Sequence, residues 1–256
     1  MPLVAVRADE DAVAAFAAER VTALVEQALA ARGAALVCLT GGRTPQRLYE
    51  MLADGDRPWR TRIDWERVHL FWGDERHVPP DHPDSNFGMA ARALVGRAPI
   101  PPAQVHRVRA ELPDATAAAV DYRAAIEAGF AAAGRAGALF DAMLLGLGED
   151  AHVASLFPGD PLLTGRLDDR DARVAAVRVA RLGAWRITLT PRALLDARAI
   201  VVIVAGAGKA EAVRAALDLP DDVLRWPAHL LRAADDRVEW IMDAAAAARR
   251  PAAPHE

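Results

Sequence analysis

The chain has 256 residues, 53% of them hydrophobic and 26% charged, a balance that excludes both a disordered chain and a membrane bundle. Its 31 basic and 35 acidic residues leave a net charge of −4, so no global basic field draws in nucleic acid or anionic lipid. Any anionic ligand must be held by a local site.

At the amino terminus Arg7, Asp9 and Glu10 interrupt any signal-like core. No apolar stretch elsewhere reaches the roughly 18 residues of a spanning helix, so the expected address is cytoplasmic. Helical spacing predicts a first long helix over 13–31, closed by Gly33. A strand is expected over 35–39, where the single cysteine, Cys38, reads as a buried thiol and excludes an internal disulfide or a multi-cysteine metal site. A helix follows over 45–52, with Thr44 as its N-cap and Pro45 at its first position. The next strand is 68–72, and after it a polar, proline-rich stretch from 73 to 85 is too long for a simple connector. Helices are expected at 86–94 and, behind Asp114 as N-cap, at 115–133. Further strands fall at 142–145, 173–179, 199–204 and 238–242, with helix starts near Thr190-Pro191 and Gly208 and a final helical segment at 244–250. Strands followed by glycine and alternating with helices define an α/β chain built on a parallel sheet. With no repeat or linker-like segment, residues 1–250 read as one domain and 251–256 as a frayed tail.

In such sheets ligands sit beyond the carboxyl ends of the strands, and four segments there are unusual. Thr40-Gly41-Gly42-Arg43-Thr44-Pro45 joins a strand to a helix start and suits a phosphate on backbone N–H groups, although a turn that binds nothing would read the same way. Gly73-Asp74-Glu75-Arg76, with Ser85-Asn86 downstream, places charges at a strand end that must pair with one another or meet a polar ligand. Gly146-Leu147-Gly148-Glu149-Asp150-Ala151-His152 sets one histidine and two carboxylates beyond a buried strand, and imidazole suits proton transfer near neutral pH. His69, His77, His82, His106, His229 and His255 read as structural or solvated. Ser155 lacks a nucleophile-elbow pattern. The fourth segment, Gly206-Ala207-Gly208-Lys209, carries the only lysine of the chain. No His, Cys and carboxylate spacing resembles a metal ligand set.

Taken in order, these four segments resemble those of the 6-phosphogluconolactonase family, lactone hydrolases of the pentose phosphate pathway. The likeness runs from about residue 10 to 245 and includes Arg186-Ile187-Thr188-Leu189-Thr190 and Ala154-Ser155-Leu156-Phe157-Pro158-Gly159. It implies a Rossmann-like three-layer sandwich of the sugar-phosphate isomerase/deaminase type. It also implies hydrolysis of 6-phospho-D-glucono-1,5-lactone with neither metal nor organic cofactor. His152 would be the general base, oriented by Asp150 or Asp74, and Arg76 would face the oxyanion. Gly41, Gly42, Arg43, Thr44, Asn86, Arg186 and Lys209 would bind the substrate and its phosphate. The partner is a small sugar-phosphate lactone, with no nucleic acid or membrane, and the chain is expected to be a monomer or weak homo-oligomer. Glu149 stands where the family has proline, Ala151 where it has glycine, Arg43 where a small residue is usual, and His229 where a small polar residue is usual. An alanine at a position needing positive φ would strain the histidine loop. Two alternatives are glucosamine-6-phosphate deaminase/isomerase and a non-catalytic phosphosugar-sensing module. In the deaminases the histidine is followed by a Phe-Asn-Glu-Pro-like run, where this chain has Val-Ala-Ser-Leu-Phe-Pro-Gly. A sensing module would need a DNA-binding partner domain, for which no residues remain.

Overall fold

The computed structural model describes residues 2–137, 139–165 and 173–251. Strands β1 (Leu3–Arg7), β2 (Ala35–Leu39), β3 (Val68–Trp72), β5 (Ala142–Leu145), β8 (Ile200–Val204) and β9 (Val238–Asp243) form one parallel sheet in the order β1-β9-β8-β5-β2-β3. Every residue of β2, β3, β5 and β8 is buried, as it must be when helices cover both faces of a sheet. Those strands read in sequence as unbroken apolar runs for the same reason. Cys38 lies among them with no exposed surface and no disulfide.

Helices α1 (Glu10–Arg32), α2 (Arg43–Ala53), α3 (Pro58–Arg62), α4 (Asn86–Ala90), α5 (Ala115–Ala132), α6 (Pro191–Leu195), α7 (Ala210–Asp218) and α8 (Ala244–Ala247) complete the fold. α1 buries Val13, Ala14, Ala17, Val21, Leu24, Val25 and Ala28, a stripe at helical spacing. It starts where Asp9 accepts the Ala12 N–H and stops at Gly33, whose φ of 78° an L side chain would resist. Among the described residues no helix is long and apolar enough to cross a membrane. Of the tail expected over 251–256, residues 252–256 lie outside those described.

The start of α2 differs from the sequence expectation. The helix begins at Arg43, so Thr44 and Pro45 stand inside it and Gly42, with φ 115° and ψ 166°, is the N-cap. Thr44 donates its hydroxyl to Glu10 Oε1 at 2.9 Å instead of capping the helix.

A second sheet, of which the sequence reading had only the strand at 173–179, carries Asp74, Arg76 and Arg186. β4 (Asp74–Arg76), β7 (Ala184–Leu189) and β6 (Val174–Val179) pair antiparallel in the order β4-β7-β6. Only Gly73 separates β3 from β4, and it serves both sheets. Its N–H donates to Leu39 O at 2.9 Å, and its carbonyl accepts from Leu189 N at 2.8 Å. The chain thus leaves the parallel sheet and folds across the carboxyl end of it.

Two buried tyrosines, the only ones in the chain, secure the strand ends beneath the site. Tyr49 Oη accepts the Thr40 N–H at 2.9 Å and donates to Thr40 O at 2.8 Å. Tyr122 Oη does the same for Trp72, at 2.7 and 2.8 Å. Each hydroxyl satisfies one backbone donor and one acceptor that the ladder has just released, a need that buried main chain always has.

Candidate active site

The four segments singled out in sequence follow β2, β3, β5 and β8, which are consecutive neighbours in the sheet. They therefore converge at one carboxyl edge, where open α/β sheets bind ligands.

The histidine loop follows β5. His152 Nδ1 lies 2.5 Å from Asp150 Oδ1, and Asp150 Oδ2 accepts from Arg181 Nη2 at 2.6 Å. Burial works to raise the Asp150 pKa, but the hydrogen bond and charge of His152, together with Arg181, bring it down to about 2. The carboxylate is thus ionised at neutral pH and holds a proton on Nδ1, which leaves the Nε2 lone pair as the base. The choice between Asp150 and Asp74 as the partner of His152 is made by geometry in favour of Asp150. Gly148 makes room for the pair, since a Cβ there would stand 1.9 Å from His152 Nδ1. Ala151 has φ 60° and Ala154 φ 49°, so the strain expected at Ala151 is present and a second left-handed alanine shares it. The Ala151 N–H donates to Gly148 O, and its carbonyl accepts the Ala228 N–H, which holds the residue in place.

Asp74 and Glu75 are 7% and 1% exposed, and each is occupied by protein donors. Asp74 accepts Ser155 Oγ–H on Oδ2 at 2.6 Å and Asn86 Nδ2 on Oδ1 at 3.2 Å. Ser155 is therefore a fully buried brace between the histidine loop and β4. Glu75 accepts the backbone N–H groups of Asn86 and Phe87 and the hydroxyl of Ser85, so it caps α4 from outside the helix. Burial raises the Glu75 pKa against the pull of those donors. Asn86 presses on the glycine loop: a Cβ at Gly41 would lie 1.8 Å from Asn86 Oδ1.

The second sheet and the turn after β8 each supply a cationic pole. Arg76 and Arg186 are direct cross-strand partners on β4 and β7, an arrangement of like charges that costs stability unless an anion sits between them. Burial, then the charge of Arg76, lowers the Arg186 pKa. Arg76 is steadied by donating to Asp84 O at 2.7 Å. At the other pole, half-buried Lys209 has its pKa lowered by burial, a shift opposed by Glu149 and Asp150 and reinforced by Arg43. The N–H groups of Arg43 and Thr44, in the first turn of α2, lack intrahelical acceptors. A cleft of about 480 Å³ is lined by Gly148, Glu149, Asp150, His152, Arg181 and Lys209.

His229, also flagged in sequence, lies elsewhere and is fully engaged, Nε2 with Ala215 O and Nδ1 with the Asp222 N–H. Arg181 and Phe157 escaped notice as site residues. Arg181 sits in a 3-10 turn, Ala180–Leu182, between β6 and β7, and reaches Asp150 only because that hairpin folds back. The histidine ring packs on Phe157 at 4.3 Å between centroids.

The sequence pattern described as glucosamine-6-phosphate isomerases/6-phosphogluconolactonase matches residues 8–240. A 6-phosphogluconolactonase of Synechocystis is 37% identical over 223 residues, 87% of this chain and 88% of its own. One of Mycobacterium tuberculosis is 37% identical over 247 residues, 95% and 96% of the two chains. The crystal structure of 6-phosphogluconolactonase from Thermotoga maritima superposes with a TM-score of 0.76 at 31% identity, covering 94% of this chain and 99% of that one. The chain belongs to the glucosamine-6-phosphate isomerase/6-phosphogluconolactonase family.

Proposed function

We propose that this protein hydrolyses 6-phospho-D-glucono-1,5-lactone to 6-phosphogluconate, and that His152 is its general base. The observation that carries the reading is the Asp150–His152 pair on a cleft that the cations Arg181 and Lys209 also line. An acid–base pair suits water activation, and the flanking cations suit an anionic substrate and a developing oxyanion.

In the step as we write it, His152 Nε2 takes a proton from a water whose oxygen bonds to the lactone carbonyl carbon. The carbonyl electrons move onto oxygen, and that oxyanion is met by Arg76. Collapse of the tetrahedral adduct breaks the bond from this carbon to the ring oxygen. The imidazolium returns its proton to the departing oxygen, which becomes a hydroxyl, and the carboxylic acid then ionises. Asp150 keeps the imidazole in the Nδ1–H tautomer throughout. The reaction is redox-neutral and needs no electron carrier.

We assign the phosphate to the Gly41-Gly42 loop with the N–H groups of Arg43 and Thr44, with the side chain of Arg43, Arg186 or Lys209 as a charged clamp. Asn86 supports the loop from behind. Fixing the phosphate orients the lactone toward His152, which lowers the entropic part of the barrier. We further infer that the protein acts in the cytoplasm on a small molecule, as one domain over residues 1–250 and as a monomer or weak homo-oligomer. The reduced, buried Cys38 and the small net charge support that setting.

The test is hydrolysis of the lactone generated in situ, measured above its spontaneous rate with EDTA present, for wild type and His152→Ala. Fast turnover lost in the variant, with KM largely kept, is the expected result. No acceleration by wild type would refute the lactonase reading, and ammonia release from glucosamine-6-phosphate would then identify the deaminase activity. An unchanged kcat in His152→Ala would remove that residue from the base role.

A further inference from the structure

Four side chains close a ring at the mouth of the cleft, and two of them, Arg181 and Phe157, have no part in the chemistry described so far. Arg181 Nη2 donates to Asp150 Oδ2 at 2.6 Å, and Asp150 Oδ1 meets His152 Nδ1 at 2.5 Å. The His152 ring packs on Phe157, and the Arg181 guanidinium also lies over that phenyl ring, 4.7 Å from its centroid. Arg181 arrives from the second sheet, on the exposed turn between β6 and β7, whereas the other three belong to the loop after β5.

We propose that Arg181 is a positioning residue for the lactonase reaction: by sharing the Asp150 carboxylate with His152 it weakens the hold of Asp150 on the imidazolium form, so that His152 remains a neutral base to lower pH. The inference rests on the lactonase reading for its kinetic consequence, while its geometric content stands on the Arg181–Asp150–His152 contacts alone.

The physical argument is a competition for one anion. An aspartate hydrogen-bonded to Nδ1 favours the protonated imidazole and, unopposed, raises its pKa. Such a base would be protonated, and therefore idle, over much of the range below neutrality. A guanidinium on the second carboxylate oxygen neutralises part of that charge and adds a repulsive cation of its own. Stacking on Phe157 restricts where the guanidinium can go, and Phe157 simultaneously fixes the plane of the imidazole. Among the described residues, the charged groups facing His152 are Glu149 and Asp150 from its own loop, Arg181 from the β6–β7 turn, and Lys209 from the turn after β8. Lys209 acts in the same direction as Arg181, and Glu149 opposes both. Of the two cations only Arg181 bonds to Asp150, so it is the one whose removal changes the carboxylate directly.

The experiment follows the His152 ring proton by NMR across pH in the full-length protein, with the resonance assigned by its loss in His152→Gln. Wild type, Arg181→Gln and Arg181→Lys are compared, and kcat/KM for lactone hydrolysis is measured over the same range. Arg181→Gln is expected to raise the His152 pKa by about half a unit or more, and so to lower the acid limb of kcat/KM about threefold or more relative to the plateau. Arg181→Lys restores most of the wild-type profile, because charge rather than shape carries the effect. An unmoved or lowered His152 pKa in Arg181→Gln overturns the proposal, as does a raised KM with an unshifted profile, which would make Arg181 a substrate contact. A protein that titrates as expected but hydrolyses no lactone refutes the activity and leaves the coupling of Arg181 to His152 established, so the two failures are told apart.

Discussion

Gly148→Ala gives the sharpest test of the acid–base geometry, because the methyl group it adds has nowhere to go. A Cβ built on Gly148 lies 1.9 Å from His152 Nδ1, 2.2 Å from its Cε1 and 2.7 Å from Asp150 Oδ1. Nonbonded heavy atoms settle near 3.5 Å, so the imidazole must retreat by about 1.5 Å. A displacement of that size breaks the 2.5 Å contact with Asp150, since a separation near 3.6 Å is no longer a hydrogen bond. Misplacing a catalytic group by about 1 Å can cost roughly a hundredfold, and a general base contributes about 10²–10⁴ in all. The expected loss in kcat is therefore about 10²–10³, equivalent to roughly 3–4 kcal/mol of transition-state stabilisation. The fold should barely notice. Gly148 is not among the glycines with positive φ, so alanine meets no backbone strain, and the stiffer unfolded chain adds about 0.4–1 kcal/mol in its favour. The assay pairs lactone turnover with urea denaturation for wild type, Gly148→Ala, His152→Ala and the double variant. With the base already gone, the added methyl should cost little more, a strongly non-additive result. A Gly148→Ala enzyme with kcat within threefold of wild type would refute the reasoning, as would full additivity in the double variant.

Three further outcomes follow from the same contacts. Tyr49→Phe strips both buried partners from Thr40, and at about 1–3 kcal/mol for an unsatisfied group the protein should lose roughly 2–3 kcal/mol; unchanged urea stability would contradict this. Lys209→Ala should raise KM with kcat largely retained, and a wild-type KM would remove the lysine from the phosphate clamp. Burial, then the neighbouring His69, holds the His106 pKa down to about 4, so the unfolded chain takes up protons first as pH falls from 6.5. Stability is full above pH 6.5 and is lost toward pH 4; discounted for solvent reaching the ring, the loss is about 1 kcal/mol at pH 5. His106→Phe should flatten that decline, and an equally steep decline in the variant would count against the assignment.

How much of this was legible in sequence depended on whether burial was uniform. β2, β3 and β5 match their expected bounds because a strand covered on both faces is apolar throughout and ends where glycine or charge begins. β1 left a weaker mark: it is an edge strand, with Leu3 64% and Val6 45% exposed, and its apolar run Leu3-Val4-Ala5-Val6 is cut short by the charges at Arg7, Asp9 and Glu10. In the second sheet β6 was legible at 173–179, but β4, β7 and their pairing were hidden for a different reason. β4 is Asp-Glu-Arg, and the burial of Asp74 and Glu75 is made tolerable by donors from residues 85–87 and 155, contacts that no local pattern encodes. The α2 boundary was misplaced by two residues because Thr-Pro is a strong start signal, while the φ of 115° at Gly42 decides where the chain turns. Arg181 could not be found at all, since its value lies in a hairpin returning 31 residues later to Asp150. The departure at Ala151, in contrast, was readable as strain, and the left-handed φ is there.

Asp74 shows why charged residues at a strand end should be sorted by what they hold before they are given chemical roles. Both of its oxygens are occupied, one by Ser155 from the histidine loop and one by Asn86, whose amide also donates to Asp74 O at 3.0 Å. Asn86 in turn rests against Gly41, and Ser155 N–H reaches Thr188 Oγ1 on β7. A single buried carboxylate therefore ties the glycine loop, the histidine loop and the second sheet to one another. Both side-chain oxygens serve as acceptors in these contacts. An amide in place of the carboxylate would have to turn one of those donors away, and either the glycine loop or the histidine loop would lose its support. The position of His152 relative to the Gly41-Gly42 loop is set through Asp74 even though Asp74 touches neither. That difference, Asp150 bonded to the imidazole and Asp74 bracing the loops around it, explains why two aspartates at neighbouring strand ends are not interchangeable here.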